Sequence, residues 1–419
     1  MPVTLLSAVD PFPTDAGKKV VLAGFIDYLV DRRGPDNVHY LLVGGQARPN
    51  FPVKMHSLPK PSRRAALGAV LTRAGTGRAT LQESLLTSRP LDRAVRETLD
   101  RIGPSLEIYD TIRMAQYADP ARSGHQICYL DDLFSERYQG MLAAGDRYPD
   151  VEMRPLGNFA EHVPTSLRPL ADSRRPQRAL LRLESELARR SENRAAQRFS
   201  RSLLVNQGEA DRLTRRVANK PGGDVAAVPP LIAPPEYRLR QYRGAPEFLF
   251  VGLLALPHND DGVRSFLTEV WPDVLLRAPG AKLRIIGKGA SPGLAQLVRS
   301  LEGSVTIEGY VEDLTEALST AAALVNHLRF GSGIKLKVIE ALGRGLPVVS
   351  TAVGADGFAA GADRGVLVAE DASSFADAML ELTDPAYNRA VADGARAHFA
   401  DTFSREAVFA CYDAAFALG

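Results

Sequence analysis

Cysteine is scarce in this chain of 419 residues, where Cys128 and Cys411 are the only two. Neither belongs to a CxxC pair or to a cluster of cysteine and histidine, so the sequence argues against a disulfide framework and against a zinc site. No apolar run approaches the ~20 residues that a membrane helix needs, and the N-terminus lacks the basic start of an export signal. We therefore expect a protein of a reducing compartment, the cytoplasm.

An excess of one charge is also lacking. The chain has 51 Lys and Arg against 49 Asp and Glu, a formal net charge of +2. Such a balance provides no general attraction for polyanions, so we expect no nucleic-acid partner. Neither half has a G-x-G-x-x-G turn after its first expected strand, which makes a nicotinamide dehydrogenase the least favoured class of enzyme.

Short apolar or β-branched runs alternate with longer segments of helical period, a pattern typical of parallel sheets covered by helices. The sequence thus predicts an α/β protein with two similar halves. The runs expected to be strands are 3–9, 38–44, 106–110, 126–130 and 202–206 in the first half, and 247–252, 281–287, 304–309, 322–326 and 346–351 in the second.

Prolines and glycines cluster in the segment 217–244, which we interpret as a linker because they oppose a regular helix. The chain is also too long for one ordinary core. We predict an N-terminal, acceptor-side Rossmann-like domain over 1–218 and a C-terminal, donor-side Rossmann-like domain over 219–400. The apolar stretch within 401–419 is expected to form a helix that crosses back to the first domain.

A glycine-rich turn follows the predicted strand 322–326 and leads into IKLKVIEALGRG, residues 334–345. Gly331 and Gly333 allow positive φ and a close approach of the backbone to a ligand, and the free N–H groups at a helix start attract phosphate. Ligands of open α/β sheets bind outside the carboxyl ends of the strands, so we expect a phosphate-bearing ligand here. An ordinary tight turn uses the same glycines.

The run GSGIKLKVIEALGRGLPVVSTAVGADG, residues 331–357, resembles the donor-site segment of retaining GT-B glycosyltransferases, in particular a bacterial branch of glycosyltransferase family 4 with a G-x-G-x-K-x-K-x-x-E pattern. The resemblance is clear over 246–358 and looser before it, where PFPTDAGKK (11–19) is similar to the acceptor loop of the family. It implies the GT-B fold, two Rossmann-like parallel-sheet domains facing a shared cleft. It also implies a nucleoside-diphosphate sugar as co-substrate, no other cofactor and no metal.

The resemblance implies a role for Glu340, which matches the second glutamate of the family's E-x7-E motif. The carboxylate of that glutamate binds the ribose hydroxyls of the nucleotide. A helix-surface pair with Lys337 or Arg344 is the structural alternative. Ser332 stands where the first glutamate is usual, so the identity of the donor sugar does not carry over.

Negative charge on a bound diphosphate needs to be neutralised. Lys335, expected in the first turn of the helix, and Lys288, at the end of another strand, are the candidates, with a solvated surface lysine as the alternative for each. Lys337 is about 200° around the helix from Lys335, so we expect it to be nearly silent in nucleotide binding. Tyr310 and Val311 match the stretch that brackets the nucleotide base in the family.

Many members of the family carry a histidine after the strand that corresponds to 126–130, where this chain has Asp131 and Asp132. A carboxylate at this place accepts a hydrogen bond from a sugar hydroxyl, or it caps the following helix. We therefore take both, together with Lys335, as candidate catalytic residues, and no third ligand suggests a metal site. The expected acceptor-side loop consists of Asp15, Gly17 and Lys18.

Arginine is concentrated in two stretches, 60–101 and 174–201. Enzymes that modify lipid-linked acceptors use such faces to approach anionic leaflets, where each basic residue contributes ~1 kcal/mol. Acidic residues are interspersed, so a solvated helix face is an equal alternative. Peripheral contact with the inner face of the membrane is therefore kept as an alternative to a purely cytoplasmic location.

These patterns favour a cytoplasmic, metal-independent glycosyltransferase that moves a sugar from a nucleoside-diphosphate sugar to a glycan or lipid-linked acceptor. Retention of configuration is implied by the resemblance alone. A nucleotide-sugar epimerase of the same fold, which needs no acceptor surface, is one alternative. A degenerate member that binds a nucleotide or a partner protein without turnover is another, which Ser332 and Asp131 keep open.

Overall fold

The first sheet consists of short strands, and its central strands are buried on both faces, as expected where helices cover a parallel sheet. The computed structural model describes residues 1–14, 16–46, 48–147, 174–232 and 240–417. In this part of the chain the first sheet has the strands β1 (Val3–Ser7), β2 (Val38–Val43), β3 (Lys54–Leu58), β4 (Leu106–Asp110), β5 (His125–Asp131), β6 (Arg201–Leu204) and β7 (Asp224–Ala227). They are parallel, in the order β3-β2-β1-β4-β5-β6-β7.

Helices connect these strands, and several begin at side chains that favour helix starts. Ser62, Thr80 and Ser88 each accept a hydrogen bond from a backbone N–H in the first turn of the helix that follows. The helices are α1 (Gly17–Arg33), α2 (Arg63–Ala69), α3 (Leu81–Leu85), α4 (Arg89–Ile102), α5 (Thr111–Ala115), α6 (Phe134–Arg147), α7 (Arg174–Arg198) and α8 (Gln207–Val217), and a π-helical segment, Val70–Ala74, continues α2.

The second sheet is also parallel and, within the described residues, has six strands. They are β8 (Glu247–Val251), β9 (Lys282–Ile286), β10 (Val305–Gly309), β11 (Ala323–Asn326), β12 (Val348–Thr351) and β13 (Val366–Ala369), in the order β10-β9-β8-β11-β12-β13. The helices are α9 (Pro257–Glu269), α10 (Trp271–Arg277), α11 (Pro292–Ser300), α12 (Thr315–Thr320), α13 (Leu336–Gly343), α14 (Ala372–Glu381), α15 (Pro385–Thr402) and α16 (Arg405–Phe416). Two parallel α/β sheets confirm the predicted fold class.

An aromatic cluster forms part of the core of the second sheet. Trp271, the only tryptophan of the chain, is fully buried against Phe248 and Phe266, and its Nε1 donates to Ser304 Oγ at 3.3 Å. Aromatic side chains bury a large apolar area, so this cluster stabilises the second sheet and its helices.

The chain divides into two compact units. The first contains the described residues up to Leu142, those from 174 to Leu231, and those from Val408 on, while the second contains mainly the described residues between Ile232 and Ala407. From Val408, α16 packs on α1, where Tyr28 OH donates to Asp413 Oδ1 at 2.8 Å. Edge-to-face ring contacts join Phe25 to Tyr412 and to Phe416.

The segment 217–244 is not only a linker. Strand β7 lies inside it and forms the edge of the first sheet beside β6, so the first unit extends to Leu231 and not to residue 218. Four residues suffice for this edge strand, which the surrounding prolines and glycines conceal in the sequence. Arg240, further along the segment, donates to the carbonyls of Leu318 and Ala321 at the end of α12.

Each sheet has one place where the direction of strand succession reverses. In the first sheet it lies between β1 and β4, and in the second between β8 and β11. Segments that leave two such strands run to opposite sides of the sheet, which leaves a crevice at the carboxyl ends. Many of the predicted site residues lie at these two switch points.

Candidate functional site

The loop after β11 carries the glycines that the sequence singled out. Gly331 and Gly333 have φ of 146° and 66°, values that side chains with a Cβ rarely adopt. The loop is anchored by Arg329, whose Nε donates to Asp261 Oδ2 on α9 at 2.9 Å in a buried pair. This loop therefore needs both glycines and is held to the neighbouring helix.

Lys335 was predicted to lie in the first turn of the helix. In the structure it is instead the N-cap residue, with φ −96° and ψ 103°. The helix α13 starts at Leu336. The amine of Lys335 folds back over the loop and donates to the carbonyl oxygens of Ser332, at 3.0 Å, and Gly333, at 2.6 Å. Lys335 thus stabilises the glycine loop and places a positive charge at the start of α13.

Lys337 was expected to point away from the site, and the structure differs. The 200° rotation assumed that both lysines are helical, but the extended backbone of Lys335 removes that relationship. The Lys337 amine lies over the ring of Phe250 on β8, 4.2 Å from its centroid, and donates to Asn259 Oδ1 at 3.3 Å. Burial, and to a smaller degree the charge of Lys335, lower the pKa of Lys337 to about 7.

Glu340 lies one turn after Lys337 on α13 and is half-buried. Burial raises the pKa of its carboxyl, and the charge of Arg344 offsets part of this rise. Residues three apart on a helix share a face, so the Lys337 amine and the Glu340 carboxylate lie along one side of α13. No ion pair joins them in the described part of the chain.

Lys288 and Tyr310 follow β9 and β10, and the structure brings them together. The Lys288 amine lies 4.0 Å from the centroid of the Tyr310 ring, and 65% of Tyr310 is exposed. The tyrosine is therefore not a core side chain but an accessible aromatic surface. Val311, next to it, is half-buried, and the carbonyl of Lys288 accepts a hydrogen bond from the N–H of Leu254 in the loop after β8.

A charged cluster occupies the switch point of the first sheet. The Lys18 amine, in the first turn of α1, lies 2.5 Å from Asp110 Oδ1 and 3.4 Å from Asp131 Oδ2. Ser7 Oγ donates to the second oxygen of Asp110 at 2.6 Å, and Tyr129 OH donates to Asp131 Oδ1 at 2.6 Å. Two carboxylates thus surround one lysine at the ends of β1, β4 and β5.

Asp131 and Asp132 diverge in the structure. Asp131 has a positive φ of 74°, which turns its carboxylate toward Lys18, while Asp132 is buried and accepts from Arg137 Nε at 2.8 Å. Burial acts to raise the pKa of Asp131, but the Lys18 charge and the Tyr129 hydroxyl outweigh it, and the pKa lies below its ordinary value. Asp131 is thus the aspartate of this pair that lies at the switch point.

The acceptor-side loop is described in part. Gly17 is the first residue of α1 and Lys18 the second, whereas Asp15 lies outside the described residues. In the described ranges, no group of three or more His, Cys, Asp or Glu side chains is placed to hold a metal ion. In the same ranges, no helix is both long enough and apolar enough to span a membrane.

Two sequence comparisons each match part of the chain. Residues 245–384 match the family described as Glycosyl transferases group 1. An uncharacterized 44.6 kDa protein in the cps region of Klebsiella pneumoniae is 30% identical over 134 residues, which are 30% of this chain and 34% of that protein. The match thus spans about a third of the length of this curated relative.

Solved structures match the whole chain. A sucrose-phosphate synthase from Thermosynechococcus elongatus has a TM-score of 0.65 at 17% identity, with 100% of both chains covered. HepE of Anabaena, in complex with UDP, has a TM-score of 0.62 at 13% identity over 99% of both chains. WaaG, a glycosyltransferase involved in lipopolysaccharide biosynthesis, has 0.56 at 14% identity over 100% of both. The chain therefore has the two-domain GT-B fold, with a segment, residues 245–384, that matches the glycosyl transferases group 1 family.

Proposed function

We propose that this protein is a glycosyltransferase that moves a sugar from a nucleoside-diphosphate sugar to a glycan or lipid-linked acceptor. The observation that carries the proposal is the glycine loop and α13 at the switch point of the second sheet, where Lys335 and Glu340 stand within two turns of each other. The match of residues 245–384 to the family supports it. Solved structures of the same fold with UDP support a nucleotide donor.

Each side chain of this site suits one part of a nucleoside diphosphate. The half-buried Glu340 carboxylate accepts both ribose hydroxyls, and its environment makes such bonds strong. The exposed ring of Tyr310, with Val311 beside it, offers a flat surface for the base. Lys288 and Lys335, together with the N–H groups at the start of α13, supply positive charge for the diphosphate.

The reaction that we propose breaks the bond between the anomeric carbon and the diphosphate oxygen. A new bond forms between that carbon and an acceptor oxygen, whose proton is released. Negative charge builds on the departing diphosphate, so fixed positive charge at Lys335 stabilises the transition state without a metal ion. We further propose that configuration is retained, which NMR of the anomeric proton in the product tests directly.

For the acceptor side we propose the first unit. Asp131 keeps a charged carboxylate because Lys18 and Tyr129 support it, and an ionised carboxylate accepts hydrogen bonds from sugar hydroxyls. Asp132 is already engaged by Arg137, so we propose a positioning role for it. Asp15 and Gly17 complete the proposed acceptor loop.

A second candidate function comes from Ser332. A serine provides no carboxylate where the family has its first glutamate, so the chain is also consistent with a protein that binds a nucleotide or a partner without transferring a sugar. The GT-B epimerase is a third alternative. Radiolabelled UDP-, GDP- and ADP-sugars separate the three: transfer or slow hydrolysis indicates a transferase, an epimerised product an epimerase, and binding without either a nucleotide-binding protein.

We also propose peripheral contact with an anionic membrane through the arginine-rich start of 60–101. Leu67 on α2 and Leu71 in the π-helical segment are 49% and 66% exposed, and Arg63 and Arg64 on the same helix are exposed as well. Leucines four residues apart share a face. Apolar side chains beside arginines suit the boundary of an anionic leaflet.

Binding of nucleotides is the first test of the proposal. A thermal-shift screen with UDP, GDP, ADP and TDP should reveal one that stabilises the protein, since a ligand at 100 times its dissociation constant adds ~2.7 kcal/mol. Stabilisation by none of the four would contradict the proposed function.

A further inference from the structure

Lys337 is a half-buried lysine whose amine has no carboxylate partner among the described residues. In the described part of the chain its polar contact is Asn259 Oδ1 at 3.3 Å, with the Phe250 ring 4.2 Å away, and no Asp or Glu there pairs with it. Burying a charge without an opposite charge is unfavourable for folding. Fold stability therefore does not explain why a lysine stands here.

The position of the amine indicates what it serves. Phe250 is on β8, Asn259 is in the first turn of α9, and Lys337 is in the first turn of α13. The amine thus lies between the two segments that leave the strands of the switch point. Asn259 Nδ2 is held by the carbonyl of Leu253 at 3.0 Å, which fixes the Oδ1 that Lys337 contacts.

We infer that Lys337 binds the diphosphate of the nucleotide and takes up a proton from solvent when the diphosphate arrives, returning it when the diphosphate leaves. The lone pair of the neutral amine forms the new N–H bond, and buffer supplies the proton. This inference rests on the proposed function, because it needs a nucleoside diphosphate at the start of α13. It goes beyond that function by making binding and release depend on pH.

The groups around the amine explain the direction of the proton transfer. In the free protein, burial and the Lys335 charge hold the pKa of Lys337 at about 7, so at pH 8 the neutral amine predominates. A diphosphate placed beside the amine adds negative charge in a site with little water, which favours the charged amine and raises its pKa.

Other titratable groups of the neighbouring elements are already engaged. Glu340 on α13 has Arg344 as its charged neighbour, and the ring of His258 on α9 packs against Phe330. The two acidic residues in the first two turns of α9 are paired with arginines, Asp260 with Arg264 and Asp261 with Arg329.

Isothermal titration of the full chain with the best of UDP, GDP, ADP and TDP tests the inference. The experiment is run at pH 6 and pH 8 in pairs of buffers that differ in ionisation enthalpy, which measures the protons taken up on binding. We expect the lysine to take up about 0.9 proton at pH 8 and about 0.1 at pH 6, as follows from a pKa of about 7. Lys337→Met should remove this uptake, whereas the terminal phosphate of the ligand, with a pKa of about 6, contributes protons equally in both proteins.

Affinity provides a second readout. Lys337→Met should weaken the nucleoside diphosphate by about 10- to 100-fold and the free nucleoside hardly at all, since a charge-assisted contact is lost only with phosphate. Lys282→Met, an exposed lysine on β9 of the same sheet, is the matched control and should bind normally. If Lys337→Met fails to fold, the affinity of Lys337→Gln for the nucleoside diphosphate and the proton uptake of the wild type still test the inference.

The outcomes separate this inference from the proposed function. Proton uptake at pH 8 that is the same in the wild type and in Lys337→Met, or equal affinity of the two proteins for the nucleoside diphosphate, overturns the inference and leaves the proposed function standing. Failure of all four nucleoside diphosphates to bind overturns both.

Discussion

Lys18 and Asp110 form an ion pair at the switch point of the first sheet, with 2.5 Å between Nζ and Oδ1, and the carboxylate is only 2% exposed. Asp131 adds a second carboxylate to the same lysine. At the corresponding place of the second sheet, Lys337 has no such partner in the described residues. Among the described residues, therefore, the lysine at the first switch point is neutralised by carboxylates, whereas Lys337 at the second is not.

Removal of Lys18 should be costly for stability. Lys18→Met leaves the buried Asp110 carboxylate and the partly exposed Asp131 carboxylate without their cation, so we expect a loss of about 3–5 kcal/mol in the free energy of unfolding, measured by urea titration. Lys54→Met, at an exposed pair on β3, should change it by about 0.5 kcal/mol or less. The double variant Lys18→Met with Asp110→Asn should recover part of the loss, and full additivity would show that the pair is not coupled.

Lys335 and Glu340 should affect different parts of the nucleotide. Lys335→Ala should weaken a nucleoside diphosphate by roughly 1.5–3 kcal/mol but the free nucleoside little, because its charge acts on phosphate. Glu340→Ala should weaken both ligands by similar factors. Calorimetric titration of both variants with both ligands measures these losses. Urea unfolding is the control, because Lys335→Ala also removes the contacts of Lys335 with the glycine loop. Equal losses with both ligands for Lys335→Ala would contradict its assignment to the diphosphate.

Activity or nucleotide binding should survive EDTA. We base this on the lysines that supply positive charge at the start of α13 and on the lack, in the described ranges, of a cluster of metal-ligating side chains. Titration with the nucleoside diphosphate before and after chelation measures it. A loss on chelation that magnesium or manganese restores would show that the diphosphate is neutralised by a metal.

Glu184 should make stability depend on pH. This glutamate of α7 is buried, accepts from the N–H of Leu81 at 2.9 Å, and burial raises its pKa to about 7. A raised pKa means that the protonated form is favoured in the folded state, so its contribution is complete below about pH 4.5 and is lost as the pH rises through 7. The size of the loss is on the order of 3 kcal/mol.

Glu184→Gln removes this dependence and keeps an acceptor for Leu81. We expect the variant to be more stable than the wild type at pH 8 and no more stable at pH 4.5, as thermal unfolding at the two pH values would show. Glu97→Gln, at an exposed position on α4, is the control. If the difference in stability between the wild type and Glu184→Gln is the same at both pH values, the raised pKa is contradicted.

Binding to lipid should depend on Leu67 and Leu71. We expect the protein to sediment with vesicles that contain phosphatidylglycerol and not with pure phosphatidylcholine, and to lose this binding at high salt. The variant Leu67→Ser with Leu71→Ser should bind at least several-fold more weakly with an unchanged melting temperature, because both side chains are exposed. Unchanged binding would favour the solvated helix face.

The sequence predicted the interior strands of both sheets and one edge strand, β10, and missed the other three edges. Within the described residues, β3, β7 and β13 were not expected, and each lies at the edge of its sheet. Interior strands are buried on both faces and therefore read as apolar runs, whereas an edge strand such as β3, KMHSL, tolerates polar residues. The pattern used for prediction is thus weakest where a sheet ends.

The candidate site could be predicted only where local chemistry decides the geometry. Gly331 and Gly333 were identified because positive φ is a property of the glycine loop itself. The environment of Lys337 was missed because its burial depends on Phe250 and Asn259, which are more than 75 residues away in the sequence. The local signal was a lysine in a helix, LKVIEALG, whose other residues apart from Glu340 are apolar or glycine.

Trp271 provides an optical marker that belongs to one unit only. It is the sole tryptophan, buried in the core of the second unit, while the largest fully buried tyrosines, Tyr28, Tyr40, Tyr109, Tyr129 and Tyr412, belong to the first. Fluorescence excited where only tryptophan absorbs will therefore follow the melting of the second unit, and circular dichroism will follow both. If the two curves do not coincide, the chain melts in separate steps, and each substitution discussed above can be assigned to the step that it shifts.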